Sequence, residues 1–343
     1  MKNPFVTNGY VSPEYFCDRE KETAKIVSLL TNENNIALIS PRRLGKTDLL
    51  RHCFGQPEIK EHYHTFIIDI YATSSVRDFV NVFGKAVLDE LRPKGKSVWG
   101  TFLNVLASLR SEITFDMNGQ PTWGIGLGAI TNPSATLDEI FSYLNNAGKP
   151  CLIAIDEFQQ ITKYADDPNI EAALRTHIQR CSNAHFVFSG SHRHLMGAMF
   201  TSPARPFYQS VTLINLPPIS VDKYAEFCLR HFERASKHLD TLVVTELYER
   251  FNGITSYMQK VMNILFSMTG TGEICIPSMI DTAINDLLDF SADTYDALLY
   301  QMPEKQRIVF MAIAAEGKAK AISSGDFVRK YKLQSASSVS SAV

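Results

Sequence analysis

The sequence predicts an α/β fold built on a parallel sheet, followed by a region that contains helices alone. Short apolar runs that can form buried strands alternate with helical patterns up to residue 218. The first of these runs leads directly into a loop that ends in Gly-Lys-Thr. From residue 219 onwards the periodicity is helical only. A strand-and-helix core with a helical addition is therefore expected.

Composition and charge indicate a globular protein with more than one domain. The 343 residues are 45% hydrophobic and 20% charged, which is typical of folded chains, and the length exceeds that of one ordinary core. A net charge of −2 gives the whole chain no general affinity for nucleic acid. The six cysteines form no C-x-x-C pair, so neither zinc nor a disulfide framework is expected.

Neither a membrane span nor a signal peptide is predicted. No apolar run approaches the ~20 residues that a membrane-spanning helix needs. The first ten residues, MKNPFVTNGY, lack the apolar core of a signal peptide. A cytoplasmic protein without membrane contact is the expectation.

The segment SPRRLGKT at 40–47 has the pattern of a phosphate-binding loop. It follows the apolar run at 36–39 and precedes a predicted helix, so its backbone N–H groups and the positive end of the helix dipole would face an anion. Gly45 allows the backbone to approach phosphates, Lys46 supplies a charge near the β/γ oxygens, and Thr47 can ligate Mg²⁺. A chance Gly-Lys-Thr after an apolar run is the alternative.

Two adjacent carboxylates follow another apolar run in CLIAIDEFQQI (151–161). A strand that ends in Asp156 and Glu157 places both groups at the carboxyl edge of the sheet, where α/β folds bind ligands. Asp156 would hold Mg²⁺, and Glu157 could orient or deprotonate the water that attacks the γ-phosphate. An apolar run before Asp-Glu is common, but an earlier phosphate loop supports this reading because the chemistry needs both a phosphate grip and a metal.

The remaining periodic segments complete the predicted core. Strands are expected at 64–71, 185–196 and 211–218, and helices at 19–30, 74–91 and 165–180. An insert at 92–135 is expected to contain a helix at 98–109 and an edge hairpin that turns at Asn118-Gly119.

Three further polar residues are candidates for a role in hydrolysis. Ser189 and Ser191 are expected to emerge at the same sheet edge, where a hydroxyl could hydrogen-bond the γ-phosphate or the water; a turn of small residues is the alternative. Arg205 is a candidate for a charge-neutralising finger, acting in cis or from a neighbouring subunit. A solvated arginine is the alternative there.

The C-terminal part is expected to form a helical lid and the start of a helix-turn-helix domain. The lid would contain helices at about 221–234, 240–251, 255–269 and 278–300. Residues 303–343 show helix, short helix, turn and a serine-capped third helix. A winged domain needs more of that third helix and a following hairpin, so this domain is expected to be incomplete. The predicted domains are 1–218, 219–300 and 301–343.

The motif set resembles the archaeal-type ATPase family of the STAND class of P-loop NTPases, across nearly the whole chain. The resemblance rests on DRE at 18–20, SPRRLGKT at 40–47, IDEFQ at 155–159, FSGSHRHLM at 188–196, RPFY at 205–208 and FNGITSYMQ at 251–259. It implies an AAA+-like core with a parallel sheet, a helical lid and a C-terminal winged helix. Two departures are that Ser40 replaces the first Walker A glycine and that 253–257 lacks a proline.

The resemblance also implies a role for each matching residue. Lys46 and Thr47 correspond to Walker A, Asp156 and Glu157 to Walker B, Ser189 or Ser191 to sensor 1, and 18–20 to the motif beside the adenine. The expected catalytic residues are Lys46, Glu157, Ser189, Ser191 and Arg205, and the expected metal ligands are Thr47 and Asp156. The expected nucleotide-binding residues are Asp18, Arg19, Ser40, Pro41, Arg42, Arg43, Leu44, Gly45, Lys46, Thr47 and Asp48.

Three functions fit these expectations. The first is a Mg²⁺-dependent ATPase that cleaves the phosphoanhydride of ATP and switches conformation with its nucleotide state. The second is a DNA-binding ATPase resembling origin-recognition proteins, whose C-terminal end carries Lys318, Lys320, Arg329, Lys330 and Lys332. The third is a scaffold that retains ATP or ADP without turnover. A homo-oligomer is compatible with each, and the same basic residues fit a solvated face or a protein-docking surface.

Overall fold

A five-stranded parallel sheet forms the core of the protein in the computed structural model, which describes residues 2–91, 113–115, 121–123, 133–317 and 319–343. The strands are β1 (Ile36–Ile39), β2 (His64–Asp69), β3 (Ile113–Phe115), β4 (Pro121–Trp123), β5 (Cys151–Asp156), β6 (Ala184–Gly190), β7 (Thr212–Asn215), β8 (His238–Leu239) and β9 (Ile274–Cys275). The sheet has the order β2-β5-β6-β1-β7 and confirms the predicted fold class.

Helices flank this sheet and then follow it. In the described residues they are α1 (Glu20–Thr31), α2 (Lys46–Phe54), α3 (Pro57–Lys60), α4 (Val76–Leu91), α5 (Pro133–Asn145), α6 (Ile170–Arg180), α7 (Arg193–Thr201), α8 (Val221–Arg234), α9 (Thr241–Phe251), α10 (Thr255–Met268), α11 (Ile280–Gln301), α12 (Glu304–Glu316), α13 (Gly325–Lys330) and α14 (Ala336–Ala342). Short 3₁₀ helices lie at Pro13–Tyr15, Phe158–Lys163 and Pro277–Met279.

Burial on both faces explains why the central strands are continuous apolar runs. All residues of β1 and β5 are buried, as expected for parallel strands covered by helices on both sides. Side chains alternate between the faces. Ile36 and Leu38 pack into the cluster that includes α1 and α2, whereas Ala37 and Ile39 pack into the larger cluster that includes α4, α5 and α6.

The strand register brings the ends of β1, β5 and β6 to one edge of the sheet. Ile39 pairs with Gly190, and Ile155 pairs with Phe188. At the ends of these three strands lie the phosphate loop at 40–47, the Asp-Glu pair at 156–157, whose Asp156 is the last residue of β5, and the turn that contains Ser191. The fold therefore assembles the predicted site from parts that are distant in sequence.

Several predicted boundaries differ from the structure. The helix expected from Arg19 begins at Glu20, because Asp18 and Arg19 have left-handed φ angles of 56° and 76°. The strand expected to reach residue 196 ends at Gly190, and α7 follows it. The helix expected from residue 165 begins at Ile170. Helix α5 was not predicted.

The insert at 92–135 is described only in part. Strands β3 and β4 pair antiparallel, with Ile113 opposite Trp123, and form a two-stranded sheet of their own among the described strands. The predicted helix at 98–109 and the turn at Asn118-Gly119 lie outside the described residues.

The chain divides into two compact units, Met1–Pro277 and Ser278–Val343. The first contains the sheet and helices up to α10. The second contains α12, α13 and α14 around a small core of Val309, Ala312, Phe327, Leu333 and Val339. Ser324 and Ser335 cap α13 and α14 by accepting backbone N–H bonds. The domain bounds at residues 218 and 300 remain predictions.

All six cysteines are buried and unpaired. Burial raises the pKa of Cys17, Cys53 and Cys151 to about 12, so these thiols are protonated at neutral pH. In the described part of the chain, no helix has the length and apolar character needed to cross a membrane.

Candidate nucleotide-binding site

A cleft of about 350 Å³ lies at the edge of the sheet where β1 and β5 end. Five parts of the first unit line it: the N-terminal segment (residues 2–19), the phosphate loop with the start of α2, the Asp-Glu pair, Ile219 before α8, and the start of α10. The lining residues are Val6, Thr7, Gly9, Tyr10, Val11, Tyr15, Phe16, Cys17, Arg19, Arg42, Arg43, Leu44, Gly45, Lys46, Thr47, Asp48, Asp156, Glu157, Ile219, Thr255, Ser256 and Gln259.

The phosphate loop turns into α2 through a left-handed glycine. Gly45 has φ 81°, and α2 begins at the next residue. An added Cβ at Gly45 would meet no atom within 4 Å, so backbone conformation and not crowding favours glycine here. The free N–H groups of the first turn of α2 make this end of the helix a favourable place for phosphate.

The backbone at Ser40, the first Walker A position, does not require glycine. Ser40 is absent from the residues with positive φ, so a side chain brings no backbone strain. Its hydroxyl donates to the carbonyl of Pro41 over 3.0 Å. Ser40 and Pro41 are thus hydrogen-bonded to each other and do not line the cleft.

Lys46 is held inside the loop by neutral partners. Its Nζ donates to the carbonyl oxygens of Ser40 (3.2 Å) and Pro41 (3.4 Å), and the residue is only 7% exposed. Burial lowers the pKa of Lys46, although Asp156 and Glu157 oppose this effect by their negative charge. The ammonium can exchange the loop carbonyls for phosphate oxygens, which carry the opposite charge.

The two predicted metal ligands lie in direct contact. Thr47 Oγ1 donates to Asp156 Oδ2 over 2.5 Å, and Asp156 is 8% exposed. A hydroxyl and a carboxylate are hard oxygen ligands that suit Mg²⁺, which commonly uses one or two carboxylates and completes its shell with phosphate oxygens and water. The described residues contain no group of three or more His, Cys, Asp or Glu side chains that could hold a metal. This donor set fits a metal bound together with a nucleotide.

Glu157 is fixed at both its backbone and its carboxylate. Its φ and ψ of 54° and 40° are left-handed, and its N–H donates to Asp156 Oδ1 over 3.0 Å. Its Oε2 accepts hydrogen bonds from Ser191 Oγ over 2.8 Å and from Gln159 Nε2. The role of Gln159 was not predicted, although it belongs to the IDEFQ motif.

The two serines near the end of β6 have different environments. Ser189 is fully buried, and its hydroxyl has no hydrogen-bond partner among the described residues. Ser191 lies beyond the strand end, donates to Glu157 and accepts from Arg42 Nε over 3.4 Å. Ser191 is therefore the one of the two that contacts a predicted catalytic group.

The two arginines of the phosphate loop contact different partners. The Arg42 guanidinium lies over the ring of Tyr71 at 5.4 Å from its centroid. Arg43 lies over the ring of Tyr257 at 4.9 Å and also donates to its hydroxyl. The Ser256 N–H donates to the Arg43 carbonyl over 3.2 Å. These contacts join the phosphate loop to the first turn of α10.

In the predicted DRE motif, Arg19 lines the cleft and Asp18 does not. Arg19 is 3% exposed, and its Nη1 pairs with Glu22 Oε1 over 3.0 Å. Its Nη2 is buried without a hydrogen-bond partner among the described residues. Asp18 instead lines an adjacent, smaller cleft together with Glu20.

The N-terminal segment, in which no strand was predicted, forms a wall of the cleft. Phe16 stacks on His52 of α2 with ring centroids 4.3 Å apart, and Tyr10 Oη lies 3.1 Å from His52 Nδ1. Burial lowers the pKa of His52, so a neutral imidazole is favoured in this stack. The aromatic residues in an otherwise Pro- and Gly-containing stretch were the only available signal.

The start of the N-terminal segment is anchored on the helices that follow the sheet. Phe5 is fully buried against an aromatic cluster of Phe227, Phe232 and Phe266. Asn263 Nδ2 donates to the Phe5 carbonyl over 2.7 Å. The segment thus links α8 and α10 to the wall of the cleft.

Arg205 lies outside the residues that line the cleft. Its Nη2 pairs with Glu171 Oε1 of α6 over 2.6 Å. Burial raises the pKa of Glu171, and the charge of Arg205 partly opposes this effect. The structure places the predicted finger in an ion pair within its own chain.

Comparison with solved structures supports the fold. A Walker-type ATPase of Pyrococcus abyssi superposes with a TM-score of 0.63 at 19% identity, covering 96% of this chain and 87% of that one. The Aeropyrum pernix ORC1 protein, in complex with DNA, gives 0.55 at 13% identity, with 96% and 83% covered. The ORC2 protein of the same organism gives 0.53 at 13%, with 96% and 82% covered. A search of curated proteins finds no match.

Two family profiles match the sequence. Residues 293–343 match a probable winged helix domain, which agrees with the predicted C-terminal helix-turn-helix. Residues 16–261 match an ATPase domain predominantly from Archaea, and this range contains the phosphate loop, both carboxylates and the first turn of α10. The chain is therefore a nucleotide-binding P-loop ATPase with a C-terminal winged helix domain, and it belongs to the family of ATPase domains found predominantly in Archaea.

Proposed function

We propose that this ATPase depends on Mg²⁺ and acts as a molecular switch of the STAND type, which passes its nucleotide state to the α8–α10 helices and to the winged helix domain. The observation that carries the proposal is the connection between the phosphate loop and α10. Arg43 contacts both Ser256 and Tyr257. A nucleotide bound to the loop would therefore lie next to α10, the helix that is proposed to change its position or stability.

Binding is assigned to the loop and the walls of the cleft. The N–H groups at the start of α2 and the Lys46 ammonium would hold the β- and γ-phosphates. Arg42 and Arg43 supply further positive charge at the same place. The aromatic wall of the N-terminal segment offers stacking surface for the base, and Arg19 carries a buried Nη2 without a hydrogen-bond partner in the described residues.

Hydrolysis is assigned to the carboxylates. Thr47 and Asp156 would hold Mg²⁺, which supplies charge neutralisation at the β- and γ-oxygens. Glu157 would take a proton from the attacking water while the water oxygen bonds to the γ-phosphorus. The bond between that phosphorus and the β–γ bridging oxygen breaks, and ADP leaves with the bridging oxygen. A positioned general base of this kind contributes roughly 10²–10⁴-fold to the rate.

A binding experiment tests the assignment of the loop. Lys46→Ala is expected to abolish tight binding of a fluorescent ATP analogue, because the loop loses its charge next to the β/γ oxygens. Lys149→Ala is a matched control, since Lys149 also donates to a backbone carbonyl, that of Glu61 over 2.8 Å, but lies outside the cleft. Unchanged affinity in Lys46→Ala would contradict the proposal.

Hydrogen exchange tests the switch itself. ATP is expected to protect residues 251–259 from exchange, because closure around the nucleotide would stabilise the contacts between Arg43 and α10. Tyr257→Ala is expected to reduce this protection while leaving the phosphate loop itself protected. Equal exchange with and without ATP would contradict the switch. Release of phosphate over many turnovers distinguishes the enzyme from a scaffold that only retains nucleotide.

DNA binding through the winged helix domain is a second candidate function. The profile match at 293–343 and the DNA-bound ORC1 relative of similar fold favour it. Two of the basic residues are partly neutralised, because Arg329 pairs with Asp326 and Lys330 pairs with Glu316. Binding of a labelled duplex that weakens steeply with salt would support this function. An affinity for the duplex that is unchanged in Lys320→Gln and Lys332→Gln would count against this function.

We also propose that the protein forms a homo-oligomer. A homo-oligomer would allow Arg205 of one subunit to serve the cleft of another. The mass in solution with and without ATP tests this directly, and a monomer under both conditions would exclude it.

A further inference from the structure

A buried amide next to the two carboxylates has no role in the function described so far. Gln159 lies in the 3₁₀ helix at Phe158–Lys163 and is 3% exposed. Its Nε2 donates to Glu157 Oε2. A neutral donor of this kind supports an ionised carboxylate without adding a competing charge.

The end of β6 leaves space for this amide. An added Cβ at Gly190 would clash with Gln159 Oε1 and would lie 2.6 Å from the Met196 side chain. Gly190 is not among the residues with positive φ, so its backbone does not require glycine. The close approach of the Gln159 and Met196 side chains therefore explains the glycine.

The arrangement of the amide costs stability in one respect. Gln159 Oε1 is buried and has no hydrogen-bond partner among the described residues, which is unfavourable for a polar atom. Packing alone would be served better by an apolar side chain of similar size. The amide is therefore better explained by its Nε2, which donates to Glu157.

The contacts of Glu157 show what this donation achieves. Both Gln159 and Ser191 donate to the same carboxylate oxygen, Oε2. The bond from the Glu157 N–H to Asp156 fixes the backbone of Glu157, and the two side-chain donors hold its carboxylate at Oε2. The second oxygen, Oε1, is left to accept a proton from water.

We propose that Gln159 is a positioning residue for ATP hydrolysis, which holds Glu157 by Oε2 so that Oε1 meets the attacking water. This inference rests on the proposed role of Glu157 as the base. Gln159 does not line the cleft, so it acts on the rate through Glu157 and not on nucleotide affinity.

The neighbouring residue provides a matched control. Gln160 belongs to the same 3₁₀ helix, and its Nε2 donates to the Thr73 carbonyl over 2.8 Å, away from Glu157. Gln159→Leu is expected to lower kcat by about tenfold or more, part of what a general base contributes, while the Kd for a fluorescent ATP analogue stays within about twofold. Gln160→Leu is expected to change kcat and Kd by less than about twofold. An unchanged or raised kcat in Gln159→Leu overturns the proposal.

A double-mutant cycle separates positioning from general destabilisation. In the Glu157→Gln background, Gln159→Leu is expected to cause no further loss of kcat, because no base remains to be positioned. A loss that multiplies with that of Glu157→Gln would overturn the proposal. If Gln159→Leu does not fold, Gly190→Ala replaces it in the cycle, since the added methyl group would clash with the amide of Gln159 and with Met196, and the same two outcomes apply.

The two hypotheses fail in different ways. Full activity in Glu157→Gln would remove the proposed base and this inference with it. A slow Glu157→Gln combined with a normal Gln159→Leu would overturn the inference alone. The free energy of unfolding and the affinity for the ATP analogue, measured on each variant, provide readouts that do not depend on turnover.

Discussion

The Thr47 hydroxyl donates a hydrogen bond of 2.5 Å to Asp156 Oδ2, although 109 residues separate the two in sequence. This contact exists because β6 lies between β1 and β5 and pairs with both in parallel. The phosphate loop after β1 and the carboxylates at the end of β5 then lie at the same edge of the sheet. The bond also brings together the two side chains that are proposed to share a metal.

The first prediction separates the charge of Asp156 from its hydrogen bonds. Asp156→Asn keeps an oxygen that can accept from the Glu157 N–H, but it loses the charge. Asp156→Ala loses both. Both variants are expected to weaken Mg²⁺-dependent ATP binding about tenfold or more, whereas Asp156→Ala should also lower the free energy of unfolding by about 1–3 kcal/mol. Titrations with and without EDTA, together with urea unfolding, measure the two effects. Full Mg²⁺ dependence in Asp156→Asn would remove this residue from the metal site.

The second prediction concerns Lys46 and pH. Burial lowers the pKa of Lys46 from 10.5 in the folded protein, so between the two pKa values the unfolded chain binds more protons than the folded one. The free energy of unfolding therefore rises with pH in this window. The wild type is expected to gain stability relative to Lys46→Met as the pH rises towards 10.5, the pKa of this lysine in the unfolded chain, as measured by urea unfolding of the apo proteins. If the difference in free energy of unfolding between the wild type and Lys46→Met stays constant or falls as the pH rises, the folded environment does not disfavour the charge of Lys46.

The third prediction concerns the ion pair of Arg205 and Glu171. Arg205→Ala leaves the carboxylate of Glu171 without its partner; the Glu171 side chain is 9% exposed. We expect a loss of about 1–3 kcal/mol in the free energy of unfolding, less than for a fully buried pair because the Arg205 side chain is 33% exposed. Adding Glu171→Gln should restore most of the loss, since the unpaired charge is removed. Equal stability of the single and double variants would argue against a significant ion pair.

The fourth prediction tests Arg205 as a finger for a neighbouring subunit. Arg205→Ala is then expected to lose roughly 10³-fold in kcat per folded molecule. Mixing it with Glu157→Gln should restore activity, because the second variant supplies an intact arginine and the first an intact base. The recovered activity should rise with protein concentration. Full turnover by Arg205→Ala alone would limit the residue to its structural ion pair.

The fifth prediction concerns the anchor of the N-terminal segment. Phe5→Ala is expected to lower the free energy of unfolding by about 3–5 kcal/mol, the usual cost of removing a buried phenylalanine ring. It should also weaken nucleotide binding, because Tyr10 and Phe16 belong to the same segment and line the cleft. Leu242→Ala is a suitable control, since Leu242 is 61% exposed on α9 and should change stability by less than about 0.5 kcal/mol. Unchanged affinity in Phe5→Ala would uncouple the anchor from the cleft.

The parts of the fold that were predicted correctly are those whose signal is local in sequence. The runs that became β1 and β5 are apolar throughout because both faces of these strands are buried. The loop at 40–47 and the carboxylates at 156–157 follow these runs directly. The family match confirms the class of protein that these motifs indicate, while the role of each residue remains a prediction.

The parts that were missed depend on distant contacts or on a misread pattern. Phe5 packs against residues more than 200 positions away, and nothing in its own segment has a period that would reveal this. Gln159 lies close to Gly190, which ends β6 and is 31 residues away in sequence. Helix α5 has a helical signal in Leu137, Ile140, Phe141 and Leu144, which are buried at helical spacing, but the predicted insert ends at residue 135 and no element was predicted between it and β5.

The six buried thiols provide an internal reporter of opening. All lie within residues 1–277, and their protonated, inaccessible state should make them slow to react with thiol reagents while the first unit is folded. Labelling would then report opening of that unit without any contribution from residues 278–343. Cys17 lies in the wall of the cleft, so a nucleotide that closes the cleft should delay the labelling of this thiol more than that of Cys151, which lies in the sheet. A single mass-spectrometric time course could therefore follow occupancy and unfolding together.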